Sequence, residues 1–343
     1  QLPPQAIMIP TGGSSGKTRF AIHTWNTLTH AVEGFYQYFN QQPVCSLCLL
    51  PLYHVSGLMQ GLRAFLTQGK LVIYDYSDLK KALTNNNHSS PLLSQNWQDF
   101  FISLVPTQLQ FILDKNPHWL QQFKTVLVGG APTPNALLEQ AYNHKINLAL
   151  TYGMTETAAQ IATLKPHDFL NKIWCSGQTL SHAKITLKSP QNPIIQIESS
   201  ALYWGYYPQG KEQVKLFVTD DLGNIDPGGY LSILGRNSQK IITGGENVFP
   251  AEIEQVIFQT NCVEDVCVIG LPDAKWGQIV TAIYVPKSRD ITPEIIQAKI
   301  DPLLSPFKHP KRWLERENIP RNAQGKINYP KLKQWATHIL TQI

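Results

Sequence analysis

Through the first half of the chain, short apolar runs alternate with stretches of helical spacing, and turn-forming residues separate them. Ala6 to Pro10, Val44 to Leu52, Lys70 to Tyr74, Phe100 to Val105, Thr125 to Val128 and Ile146 to Leu150 read as strands. Several are apolar throughout, as expected of strands buried on both faces of a parallel sheet. Trp25 to Tyr38 behind Thr24 as N-cap, Gly57 to Phe65, Pro106 to Leu113 and Asn135 to Asn143 read as helices. Strand, loop and helix in repetition predict an α/β domain built on a mostly parallel sheet.

Beyond Lys165 the pattern changes. Lys184 to Lys188, Ile194 to Glu198, Lys215 to Thr219 and Tyr230 to Leu234 alternate in polarity between Pro, Gly and Asn turns, which predicts a β-rich subdomain. Asp220, Asp221, Gly223 and Asn224 read as one crowded turn. Gly235 to Lys240 is the best boundary, dividing the chain into a large domain, 1–236, and a small one, 237–343. In the small domain Ile253, Val256, Ile257 and Thr260 lie on one helix face behind Pro250. The strands Val263 to Ile269 and Val280 to Val285 and the helix Pro293 to Ile300 complete an α+β unit.

Composition narrows the picture. At 343 residues the chain is long for a single core. With 43% hydrophobic and 15% charged residues it is globular. The net charge of +5 is mild and its Lys and Arg are scattered, which argues against nucleic acid and is compatible with an anionic substrate. Of the 5 cysteines, Cys45 and Cys48 form a lone C-x-x-C inside an apolar run, without the second pair a zinc site needs. Reduced thiols suit the cytosol. No apolar run reaches the roughly 18 residues that span a bilayer. Oligomeric state is left open.

Five stretches carry candidate chemistry. Thr151-Tyr152-Gly153-Met154-Thr155-Glu156-Thr157 delivers a ring, a glycine, a hydroxyl and a carboxylate behind a strand. Tyr152 can cover a base, Thr155 can donate to a phosphate and Glu156 can hold a hard cation, although a polar turn with a packing Tyr reads equally well. Thr11 to Arg19 is rich in Gly and Ser and holds Lys17. It is not a Walker A loop, since Gly12 to Gly16 leaves one residue too few before the Gly-Lys pair. A strand before it and a helix after it favour a phosphate loop of another kind over a plain surface loop. Pro51 to Leu58 places His54 and Ser56 at the C-terminal end of a strand, where α/β sheets bind ligands. Gly129-Gly130-Ala131-Pro132 allows a flat ligand close to backbone. Asn322 to Lys326 is a polar loop whose lysine would ordinarily be solvated.

Taken in order from about Thr11 to about Leu332, these stretches resemble the adenylate-forming superfamily of acyl-CoA synthetases, luciferases and peptide-synthetase adenylation domains. The resemblance implies an ATP- and Mg2+-dependent, AMP-forming acid–CoA ligase with CoA as co-substrate. It implies phosphate contacts from Thr11, Ser14, Ser15, Gly16 and Lys17, and adenine contacts from Gly129, Gly130, Ala131, Pro132, Tyr152, Gly153 and Met154. Thr155 would meet the α-phosphate, Glu156 the magnesium, and Asp221 and Arg236 the ribose. Gly244, Gly245 and Glu246 would lie on the CoA side, Asn237 and Ser238 at a hinge, and Lys326 would be the catalytic lysine. Within the superfamily, Pro51 to Leu58, Met154 to Gln160, Ile241 to Asn247 and Leu271 to Gln278 are most similar to the 2-succinylbenzoate–CoA ligases of menaquinone and phylloquinone synthesis. Position alone assigns His54, Ser56, Gln108 and Gln160 to the polar lining of an aromatic-acid pocket.

The chain departs from the family pattern at Gly12, Thr18 and Arg19, where Ser, Pro and Lys are usual, and at Ser238, where many relatives have Asp. It also has little before the phosphate loop, so a shortened form and a piece of a longer protein are both open. The competing functions are a ligase for another aromatic or fatty acid, and an inert nucleotide-binding relative.

Overall fold

The computed structural model describes residues 2–11, 19–85, 90–210, 212–321 and 327–341. The chain divides into two compact units. The first comprises Gln1–Thr133, Leu137–Thr219 and Asn224–Ser232; the second comprises Pro134–Ala136, Asp220–Gly223 and Ile233–Ile343.

In the first unit a seven-stranded sheet runs in the order Leu71–Ile73, Cys45–Cys48, Phe100–Leu104, Thr125–Val128, Leu148–Met154, Ala159–Thr163, Gln178–Thr179. Its first five strands are parallel and the last two are antiparallel additions. Alternate residues serve opposite faces. Ile102, Leu104, Val126, Val128 and Leu148 join Trp97 and Trp119 in one core. Phe101, Leu127 and Ala149 meet Phe35 and Leu180 in another. Burial on both faces is why these strands are apolar throughout. The helix Trp25–Tyr38 starts where the sequence places it, its N-terminus closed by reciprocal bonds between Thr24 and Thr27 of 3.0 and 3.4 Å.

Three sequence readings are corrected. Ile7–Thr11 is not followed directly by a helix: it pairs antiparallel with Arg19–His23, with Thr11 opposite Arg19, so the Gly/Ser-rich segment joins two strands. The pattern hid the second strand because its buried end is a polar residue, His23. The strand ahead of the motif does not stop at Leu150. It continues through Met154 and pairs with Ala159–Thr163, so Thr151 to Met154 is strand and the turn is Thr155–Thr157. Asp220 to Asn224 is no turn either. It lies inside the strand Phe217–Ile225, with Asp221 buried, and the chain reverses at Asp226, whose carbonyl accepts from Gly229 N–H at 2.9 Å. Strand pairing has overridden the local turn preference of Asp, Gly and Asn.

The second unit contains a five-stranded sheet in which Glu246–Val248, Ile241–Thr243, Gly277–Pro286 and Val263–Asp273 follow one another, and Arg312–Glu315 runs parallel to Gly277–Pro286. Val266, Val268, Val280 and Ala282 pack against Ile253, Ile257, Ile296 and Ile300, from the helices Pro250–Gln259 and Pro293–Ile300. Cys267, Ile269, Ile283 and Val285 pack on the other face against Leu332 and Ala336 of the helix Tyr329–Thr341. Among the described residues no helix is long and apolar enough to cross a membrane.

Candidate active site

The hairpin made by Leu148–Met154 and Ala159–Thr163 presents Thr155 and Glu156 at its tip. Gly153 lets the strands close: a Cβ there would lie 2.0 Å from the Ala159 carbonyl oxygen. Thr157 locks the tip, its hydroxyl accepting from Met154 N–H at 3.0 Å and lying 2.6 Å from the Ala159 carbonyl. Tyr152 is buried.

Two further elements grip this tip. His23, fully buried, donates from Nε2 to the Thr155 carbonyl at 2.7 Å, while its Nδ1 lies 3.0 Å from the Thr27 hydroxyl. Burial lowers its pKa to about 4, so the ring is neutral near pH 7. The Tyr206 hydroxyl donates to Glu156 Oε1, and Tyr203 N–H donates to the Glu156 carbonyl at 3.0 Å. Burial and the Glu156 charge hold the Tyr206 hydroxyl well above its usual pKa, which keeps it a donor. The Arg19 guanidinium sits 4.5 Å from the Tyr206 ring centroid.

Of the phosphate-loop candidates, Thr11 is buried and its Oγ1 has no partner among the described residues. Ser14, Ser15, Gly16 and Lys17 lie outside the described residues, as does Lys326. Gly129 N–H donates to the Leu104 carbonyl at 3.3 Å, and Gly130, Ala131 and Pro132 follow on an exposed turn.

The acid-pocket candidates have divided roles. His54 stands at the N-cap of the helix Val55–Leu66 with its ring 4.4 Å from that of Tyr53, and Ser56 is exposed. Gln108 is buried, and its Oε1 accepts from Val105 N–H at 3.1 Å as a helix cap. Both ends of Gln160 are engaged, with Arg63 at 3.1 Å and Thr163 at 3.0 Å. Arg63 is the residue the sequence reading passed over. It is buried, its guanidinium stacks 4.0 Å from the Phe35 centroid, and its Nε has no partner among the described residues. Burial lowers its pKa to about 9, and among the described residues no neighbouring carboxylate offsets that. An arginine inside the apolar stretch Gly57 to Leu66 was the available signal.

In the second unit Arg236 Nε donates to Asp221 Oδ1 at 3.1 Å, so the two ribose candidates are brought together. Asp220 takes the Ser238 N–H at 3.0 Å and also its hydroxyl, which ties one hinge candidate to the neighbouring strand. Gly244 and Gly245 form the turn between Ile241–Thr243 and Glu246–Val248, with φ of 58° and 86°, and Glu246 is exposed beside them. Arg321 and Ile327 form an antiparallel bridge, and Arg321 makes paired bonds of 2.9 and 2.8 Å to Asp265.

The donor set fits a hard cation of one kind. Glu156 is a single half-buried carboxylate oriented by a hydroxyl, and no cluster of three or more ligating side chains exists among the described residues. Mg2+ accepts such a site, taking its remaining ligands from phosphate and water.

Comparison with known proteins agrees with this geometry. The model of the AMP-binding enzyme family matches residues 4–196, and that of the AMP-binding enzyme C-terminal domain matches residues 252–326. A 2–succinylbenzoate–CoA ligase of Listeria innocua is 33% identical over 339 residues, 96% of this chain and 70% of the relative. One from Bacillus anthracis is 32% identical over 95% of this chain and 69% of the relative. The o-succinylbenzoate CoA synthetase of Bacillus subtilis in complex with its acyl-adenylate superposes with a TM-score of 0.82 at 26% identity, covering 95% of this chain and 68% of that one. The same synthetase with ATP and magnesium ion gives 0.81 at 26% identity, covering 95% and 69%.

Proposed function

Since this chain belongs to the AMP-binding enzyme family, we propose that it is an AMP-forming acid–CoA ligase that converts 2-succinylbenzoate to 2-succinylbenzoyl-CoA. In the first half-reaction a carboxylate oxygen of the acid attacks the α-phosphorus of ATP, pyrophosphate leaves, and an acyl-adenylate remains. In the second, the CoA thiolate attacks the acyl carbon and AMP leaves. Bound Mg2+ supplies charge neutralisation at the phosphates. The protein's own work is positioning and electrostatics. Thr155 and the segment from Thr11 to Lys17 hold phosphate oxygens, Glu156 orients toward the cation, and Asp221 with Arg236 receives the ribose. Lys326 supplies an ammonium for the first half-reaction. A turn about Asn237 and Ser238 then exchanges it for the Gly244–Gly245 turn on the CoA side.

The observation that carries the substrate assignment is Arg63. Among the described residues Arg63 has no carboxylate partner, and a guanidinium buried in this way is costly unless a ligand completes it. 2-Succinylbenzoate is a diacid, and the carboxylate that does not react needs a cation at the apolar end of its pocket. Arg63, held by Gln160, fits that need. ATP–pyrophosphate exchange over a panel of acids tests the proposal. Exchange should be strongest with 2-succinylbenzoate and weak with benzoate or fatty acids of similar size. Equal exchange with monoacids would remove the assignment of the acid, and no exchange with any acid would favour the inert nucleotide-binding reading.

A further inference from the structure

The segment Tyr203 to Tyr207 belongs to none of the motifs above, yet it lies against two of them. On one side it runs along the strand that leaves the Gly/Ser-rich loop: Ile22 N–H donates to Gly205 O at 3.0 Å, Trp204 N–H to Ile22 O at 2.7 Å and Tyr207 N–H to Phe20 O at 2.9 Å. On the other side Tyr203 N–H holds the Glu156 carbonyl at 3.0 Å. Tyr206 repeats this double attachment with its side chain, placing its ring under Arg19 and its hydroxyl on Glu156. Its ring also packs edge-on against Tyr203 with centroids 5.0 Å apart, which restricts it further.

We propose that Tyr206 is a positioning residue for the cation-and-phosphate end of the site, fixing the Glu156 carboxylate and the Arg19 strand as one rigid unit. This rests on the ligase reading, in which Glu156 faces the magnesium of ATP. A carboxylate on a flexible stem loses side-chain entropy when it captures a cation. Tyr206 fixes one oxygen of Glu156 beforehand, and among the described residues no side chain donates to the other. Partners of this kind behind a metal ligand typically change metal affinity by roughly 10–100-fold when removed. The Arg19 contact connects the same ring to the strand Arg19–His23, so Arg19 and the Glu156 carboxylate share one anchor.

The test is calorimetric binding of ATP with the acid omitted, once with Mg2+ and once with EDTA. The readout is the gain in ATP affinity that Mg2+ brings. In Tyr206→Phe, which keeps the ring, that gain should fall about 10-fold while binding in EDTA and the melting temperature stay close to wild type. In a Glu156→Gln background the same change should cost less than about 2-fold, because the two act as one unit. An unchanged Mg2+ gain in Tyr206→Phe, or equal losses in both backgrounds, overturns the positioning role and leaves the ligase reading standing. A parallel loss with Mg2+ and with EDTA, together with a lower melting temperature, marks Tyr206 as merely structural and also overturns it. Should Glu156→Gln itself keep the full Mg2+ gain, the cation assignment of Glu156 falls, and the role of Tyr206 with it.

Discussion

In the first unit three candidate residues are gripped. Glu156 is held by Tyr206, Thr155 by His23 and Gln160 by Arg63, each through a contact spanning 50 or more positions in sequence. In the second unit Asp221 and Ser238 have side-chain partners in Arg236 and Asp220, but three candidates are displayed: Gly244 and Gly245 form an exposed turn and Glu246 stands beside them. The difference matches two tasks. Phosphoryl chemistry rewards donors fixed in advance at the positions where charge develops. A residue that serves one half-reaction and then withdraws must sit on an element that can move without breaking a core.

The largest effect expected from this contrast concerns Lys326. Lys326→Ala should slow adenylation by roughly 10²–10³-fold, the scale of one lost charge-stabilising donor, while premade adenylate still reacts with CoA at near wild-type rate. Rapid-quench measurement of the two steps separates them, and equal losses in both would break the division of labour. Next comes Arg63→Met, which removes a buried cation from the gripped side. The KM for 2-succinylbenzoate should rise roughly 30-fold or more with the KM for ATP within about 3-fold, and parallel shifts in both would mean a structural role only. On the displayed side, Gly244→Ala strains a backbone at φ 58° and brings a Cβ to 2.9 Å from the Trp276 ring. We expect a loss of about 5-fold in thioester formation, corresponding to roughly 1 kcal/mol of strain, with pyrophosphate exchange unaltered.

The mildest test uses pH, and the two units should respond with opposite sign. His23 is held neutral, its pKa lowered from 6.5 to about 4 by burial. The unfolded chain therefore binds the extra proton first, and the first unit loses stability as pH falls from about 6.5 toward 4. Glu254 in the second unit is shifted from 4.5 to about 7, chiefly by burial, with Asp265 adding to the shift and Val268 N–H, Arg321 and Cys267 opposing it. Here the folded state keeps the proton, so stability falls as pH rises from about 4.5 to about 7 and then levels. Hydrogen exchange on peptides from each unit should show the two trends, and His23→Gln and Glu254→Gln should flatten one each. A common pH trend in both units would contradict this assignment.

Much of the fold was legible because apolar runs mark strands buried on both faces. Thr125–Val128, Asn135–Asn143 and Pro293–Ile300 fall on the residues the pattern assigns. The stretches that escaped contain buried polar residues. Arg19–His23 ends in a histidine whose partner is 132 positions away, and the part of Phe217–Ile225 beyond Thr219, where the pattern ended the strand, contains an aspartate answered by Arg236. Periodicity registers polarity but not the distant partner that makes burial of a polar group acceptable. The site divides in the same way. Residues on turns, such as Glu156 and Gly244, announce themselves by local chemistry. Tyr206 and Arg63 act through neighbours that only the folded chain brings to them.

In the proposed reaction the acid's own carboxylate attacks the α-phosphorus of ATP. Turnover with 2-succinylbenzoate carrying 18O in its carboxylates tests it directly. AMP should bear one labelled oxygen, since displacement by the thiolate leaves the bridging oxygen on phosphorus. Unlabelled AMP, or label appearing in pyrophosphate, would contradict it.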